Sequence, residues 1–124
     1  MTLACEPLAV FACHCTHCQK TSGAAFSVVV LAPDAGLSMT GAVNVYQDRG
    51  DSGQAVLRSF CETCGSPVET ASDETQAQGV RLIKGGLFAG RREFAPQVEI
   101  FCDRRLSWVP ALKDTATFAG MQPH

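Results

Sequence analysis

Apolar residues along this chain come in short bursts rather than in long periodic stretches. Leu8-Ala9-Val10-Phe11-Ala12 reads as a buried strand running straight into a cysteine-rich segment. Ala25 to Leu31 is rich in β-branched residues and stops at Pro33-Asp34. Val43-Asn44-Val45-Tyr46 alternates as a half-buried strand does, and Gln54 to Phe60 predicts the next strand beyond the loop Gly50-Asp51-Ser52-Gly53. Val68 to Thr70, Val80 to Lys84 and Val98 to Cys102 complete the set. The polar stretch from Thr16 to Gly23 suits a turn or a very short helix ending at the glycine. No long window carries clean helical periodicity. About seven short strands punctuated by Gly, Pro and Asp predict a mainly β fold. With no internal repeat and no linker, residues 1–124 are expected to form one domain, of which 113–124 is a poorly ordered or surface-hugging extension.

Composition narrows the field of partners. Hydrophobic residues make up 46% and charged residues 18%, the balance of an ordinary folded chain rather than a disordered one. The net charge is −2 and no run of Lys or Arg occurs, so neither nucleic acid nor an anionic membrane is an expected partner. No apolar stretch is long enough to span a bilayer. The N-terminal Met1-Thr2-Leu3-Ala4-Cys5-Glu6-Pro7 has no basic region, so it does not read as a signal peptide and a cytoplasmic location is expected. There thiols stay reduced, and seven cysteines, an odd number, fit metal ligation better than a disulfide framework. Oligomeric state is not encoded in any pattern, which leaves a homodimer open.

The cysteines carry the chemistry. Cys13, Cys15 and Cys18 form a C-x-C-x-x-C run, and Cys61-x-x-Cys64 is followed by Gly65. A C-x-x-C turn points both sulfurs toward one external point, as a tetrahedral metal requires, and zinc with thiolate ligands is the first expectation. Gly65 supports a knuckle, because a residue at positive φ there lets backbone N–H groups turn toward sulfur. Two ligand sets are open. Cys15, Cys18, Cys61 and Cys64 would make a closed, structural four-thiolate site, which spacing alone favours. Cys13, Cys15 and Cys18 together would leave one metal position free for substrate, as in a catalytic site. A thioredoxin-type redox role is disfavoured, since no βαβ pattern surrounds either motif.

The run Ala12-Cys13-His14-Cys15-Thr16-His17-Cys18-Gln19-Lys20-Thr21-Ser22-Gly23 resembles the core motif of the glutathione-dependent formaldehyde-activating enzyme family, also called the centromere protein V family. Ala25-Phe26-Ser27, Phe60-Cys61-Glu62-Thr63-Cys64-Gly65-Ser66-Pro67, Ile100-Phe101 and Ser107-Trp108-Val109 extend the likeness over about residues 7 to 110. The resemblance implies a β-rich zinc fold related to methionine sulfoxide reductase B. It also implies that Cys13, Cys15 and Cys18 hold an exposed zinc tied to catalysis. Cys61 and Cys64 would be half of a second, structural site whose other half is an N-terminal C-x-C. That motif, expected before Thr2-Leu3-Ala4, is not in this sequence, so one or two zinc ions per chain are open and Cys5 is a single substitute at most. Glu99 is another departure, at a position where many members carry histidine.

The activity implied is carbon–sulfur bond chemistry on glutathione adducts such as S-hydroxymethylglutathione, with glutathione as the small-molecule partner. His14 and His17 are the nearest proton donors by sequence, though each reads first as a loop or supporting residue. Glutathione carries two carboxylates, so Arg91-Arg92 and Arg104-Arg105 are candidate anchors, against the plainer reading of solvated turns. Cys102, Phe101 and Trp108 are expected in the core, and Gly85-Gly86 at a turn or bulge. The alternative function is a non-catalytic zinc module that binds a protein.

Overall fold

The computed structural model describes residues 2–3, 6–50, 53–88 and 94–121. Cys5, Arg91 and Arg92 lie outside the described residues. The chain is mainly β, as its apolar pattern predicts. Strands β1 (Thr2–Leu3) and β4 (Leu37–Ser38) pair with each other. The other eight build one sheet: β2 (Ala9–Cys13), β3 (Ser27–Pro33), β5 (Val43–Arg49), β6 (Ala55–Cys61), β7 (Pro67–Ala71), β8 (Val80–Lys84), β9 (Val98–Ile100) and β10 (Ala116–Thr117). Their spatial order is β10-β9-β2-β3-β8-β7-β6-β5, with β2–β9 and β9–β10 parallel and the remaining pairs antiparallel.

The continuous apolar run of β3 follows from its central place in this sheet. Val29 packs with Phe11, Cys13, Cys18, Val98 and Ile100 on one face. Val30 and Ala32 pack with Ile83 and Phe88 in a second cluster. A strand whose neighbours cover both its faces needs apolar side chains in both directions, so it does not alternate. The β5–β6 hairpin is different. Val43, Val45 and Tyr46 stay exposed, and β5 has a partner on one side only.

Among the described residues two α-helices connect strands. Helix α1 (Thr16–Ser22) starts at Cys15, whose sulfur accepts the Cys18 N–H at 3.3 Å, and ends at Gly23 in the left-handed conformation at φ 64°. Glycine takes that conformation without a Cβ clash, and its N–H closes on the Gln19 carbonyl at 3.1 Å. Helix α2 (Asp73–Ala77) is held by a reciprocal capping box between Ser72 and Thr75.

Two sequence expectations change, and the turn expected at Gly85-Gly86 is present. The strand expected to run to Cys102 stops at Ile100, because Phe101 turns into the left-handed region at φ 55° and opens a short 3-10 turn over Cys102–Arg104. Trp108, expected in the core, is 74% exposed. Gly85 begins a 3-10 turn, Gly85–Leu87, and passes so close to Val28 that a Cβ there would lie 2.9 Å from Val28 Cγ1. The C-terminal segment lies along β9: Ala116 N–H bonds to the Gln97 carbonyl, Phe118 N–H to the Glu99 carbonyl, and the Phe118 ring packs on the first core cluster.

Candidate metal centre

Three sulfurs converge where β2 hands over to α1. Cys13 is the last residue of β2, Cys15 caps α1, and Cys18 sits in its first turn. Their Sγ atoms all lie within 4.8 Å of one another. Cys13 and Cys18 are buried against Val98, Val29 and Ile100, while Cys15 is half-buried. The sheet therefore fixes the triad from beneath and leaves one sulfur toward the surface. Cys61 and Cys64 do not join this cluster.

The electrostatics of the triad are those of a cation site. Hydrogen bonds from Cys13 and then Cys18 hold the Cys15 thiol far below its ordinary 9.0, assisted by the backbone N–H groups of Cys18 and His17 against the cost of burial. Cys13 is pushed up as a donor to Cys15 and Cys18 and by burial. Cys18 feels opposing effects, lowered by Cys13 but raised on balance by Cys15 and burial. One negative charge is thus concentrated on three soft donors. Such a set suits a thiophilic divalent ion with tetrahedral preference and could supply three of its ligands.

The opposite side of the same loop is locked by charge. His14 is fully buried; its N–H bonds to the Ile100 carbonyl at 3.0 Å and its Nε2 lies 3.0 Å from Glu99 Oε1. Glu99, also fully buried, accepts from Arg105 Nη2 (3.1 Å), the Leu112 N–H (3.1 Å) and Thr115 Oγ1 (2.7 Å). Burial works to raise its carboxyl, but the hydrogen bonds from Thr115, His14 and Leu112 and the Arg105 charge outweigh it and hold the group below its ordinary value. An ionised carboxylate only accepts, so Nε2 is the donor. His14, Glu99 and Cys102 also have ligand atoms within 4.8 Å of one another. There, however, a cation is already present: Arg105 Nη2 is 3.1 Å from Glu99 Oε1 and 3.3 Å from Cys102 Sγ. Gln19 joins the two halves, its Nε2 donating to the carbonyls of His14 (2.9 Å) and Arg104 (3.0 Å).

The Cys61–Cys64 knuckle is formed without a ligand set around it. The Gly65 N–H closes on the Cys61 carbonyl at 2.8 Å, the Cys61 N–H on the Ser66 carbonyl at 2.8 Å, and Gly65 sits at φ 76°. Cys64 is exposed and lowered by hydrogen bonds from Ser66 and from Cys61. Among the described residues no third cysteine, histidine or carboxylate completes the pair.

Beside the triad is a shallow groove of about 270 Å³, lined in part by Ser22, Phe26, Pro67, Gly86 and Lys84. Lys84 Nζ is 3.8 Å from Cys18 Sγ and 3.1 Å from Ser27 Oγ, so one side chain belongs to both groove and triad. Neither Arg104 nor Arg105 takes that place. Arg105 is committed to Glu99, and the Arg104 guanidinium lies over the Phe101 ring, 6.0 Å from its centroid. His17 faces Asp48, 3.5 Å from Nδ1 to Oδ2. Lys84 was missed by sequence reasoning because nothing local marks it. Only the antiparallel register of β8 on β3, which sets Lys84 opposite Val29, brings it to Ser27 and Cys18.

A family model described as glutathione-dependent formaldehyde-activating enzyme matches residues 1–104, and the chain belongs to that family. A search of curated proteins found no match.

Proposed function

We propose that this member of the family joins the sulfur of glutathione to formaldehyde, with zinc held by Cys13, Cys15 and Cys18. The supporting observation is the convergence of these three sulfurs, within 4.8 Å of one another, next to a groove whose Lys84 reaches Cys18. Zinc bound there would keep an incoming thiol deprotonated yet nucleophilic at neutral pH. The reaction forms one C–S bond: the thiol sulfur attacks the formaldehyde carbon, the C=O π pair moves to oxygen, and the proton shed by the thiol ends on that oxygen as S-hydroxymethylglutathione.

The chain's own residues supply position and charge. The β2 terminus and the α1 cap hold Cys13 and Cys15 rigidly, and the Glu99–His14 contact anchors the loop between them. Holding two reactants side by side converts an encounter in solution into a local one, the main advantage available to a reaction that is facile already. Lys84 balances negative charge on the thiolates. A groove beside the sulfurs favours an enzyme over a closed zinc module, which would have no use for one. A cytoplasmic setting, where both thiols and glutathione stay reduced, belongs to the same proposal; among the described residues no helix is long and apolar enough to cross a membrane.

NMR exchange spectroscopy on glutathione and formaldehyde tests the activity. The exchange rate should rise with added protein and fall to the uncatalysed rate with Cys15→Ser. A wild-type protein that leaves the rate unchanged would sink the proposal.

A further inference from the structure

We infer that the groove beside the triad is an anion-selective thiol-binding site, with Lys84 as the residue that recognises a carboxylate of the incoming thiol. This rests on the proposed function for the identity of the thiol, not for the existence of the site. Lysine carries three N–H donors. Two are directed at Cys18 Sγ and Ser27 Oγ, which leaves a third for a ligand in the groove that Lys84 lines. No carboxylate among the described residues pairs with Lys84 or lines the groove, although the chain as a whole carries net charge −2. The Lys84 ammonium, beside Cys18 and with an N–H left over for the groove, favours an anionic group there over a cationic one.

The other walls fit the rest of a small peptide thiol. Phe26, Val28 and Pro67 offer apolar surface, and the absence of a side chain at Gly86 keeps the groove open. At about 270 Å³ the groove falls at the lower limit of small-ligand sites. It accepts part of a tripeptide and excludes a dinucleotide-sized cofactor. Among the described residues that line the groove Lys84 is the single cation, which matches one carboxylate. The ligand class is therefore a small carboxylate-bearing thiol, its sulfur toward the cysteines and its carboxylate on Lys84.

Calorimetric titration of the metal-loaded protein with S-methylglutathione, which keeps both carboxylates but has no free thiol, isolates this site from the sulfur chemistry. Three variants are compared: Lys84→Met, Lys84→Arg and Gly86→Asp. The last adds a carboxylate to the groove at a position where a Cβ meets nothing within 4 Å, and it leaves the Lys84 side chain in place. Lys84→Met and Gly86→Asp should each weaken binding about tenfold, the loss of one charge-assisted contact, and Lys84→Arg should recover most of it. In parallel, the uptake of 2-mercaptoethanol, a neutral thiol, should change by less than about twofold in Gly86→Asp, which keeps Lys84 beside Cys18. Binding of S-methylglutathione that is unaltered in both Lys84→Met and Gly86→Asp overturns the inference, as does an equal loss for the neutral thiol in Gly86→Asp. Formaldehyde is absent from every titration, so a protein that binds as described but does not accelerate adduct formation would refute the proposed activity and leave the site standing.

Discussion

Replacing Glu99 with glutamine should destabilise the protein well beyond what the loss of one surface ion pair costs. Glu99 is fully buried, and all four groups around it donate: His14 Nε2 and Arg105 Nη2 to one oxygen, the Leu112 N–H and Thr115 Oγ1 to the other. A glutamine amide must set its NH2 against one of these donor pairs. Histidine can switch tautomer and a hydroxyl can rotate, but neither Arg105 nor the Leu112 N–H can become an acceptor, so one buried donor is left unpaired in either orientation. Arg105 is 22% exposed, so water recovers part of its loss. The cost should be about 2–3 kcal/mol. For a chain of this length that lowers the melting temperature by roughly 8–12 °C.

Urea denaturation followed by far-ultraviolet circular dichroism, at fixed zinc, gives the number. The carboxyl of Glu99 is held below its ordinary 4.5 in the folded state, so its contribution is fully present above that pH and fades as pH falls through the lowered folded value. The gap between wild type and Glu99→Gln should therefore be constant from neutral pH down to about 5 and close in stronger acid. A variant within about 0.5 kcal/mol of wild type at pH 7 would refute the account of this network.

Other outcomes follow from the same geometry. In metal-free protein near pH 6.5, iodoacetamide should modify Cys15 and Cys64 before Cys13, because hydrogen bonds lower the first two thiols while Cys13 is buried and raised; peptide mass mapping reads the order, and early labelling of Cys13 would contradict it. Gly65→Ala should cost about 1 kcal/mol through backbone strain alone, since φ is 76° and a Cβ would meet nothing within 4 Å. A melting temperature equal to wild type would show that the knuckle is looser than described. Gln19→Leu should loosen the metal loop by removing the bridge between the His14 and Arg104 carbonyls, seen as faster loss of zinc to a chelator.

Much of this architecture was legible in short-range pattern. The strand over Val80 to Lys84 and the helix end at Gly23 fall where apolar alternation and a lone glycine put them. The cysteine cluster was legible too, since C-x-C-x-x-C at a strand-to-helix junction brings sulfurs together whatever the rest of the chain does. What pattern could not show depends on long-range register. Glu99 reads as an ordinary strand residue, yet the parallel pairing of β9 with β2 sets it opposite Ala12 and turns it into the partner of His14. The arginines expected near the site were put forward because glutathione carries two carboxylates, whereas Arg105 is absorbed by Glu99 and the cation at the groove comes from β8. Helix α2 was missed because it is one turn long, too short for periodicity, and is marked only by its capping pair Ser72 and Thr75.

The central claim is a metal site made by Cys13, Cys15 and Cys18 and independent of Cys61 and Cys64. Zinc analysis of single Cys→Ser variants of the full chain measures it directly. The account predicts one zinc lost per chain with each of Cys13→Ser, Cys15→Ser and Cys18→Ser, and that same zinc retained in the Cys61→Ser/Cys64→Ser double variant. Retention in Cys13→Ser together with loss in the double variant would mean that the metal sits on the other four cysteines, and the account would be wrong.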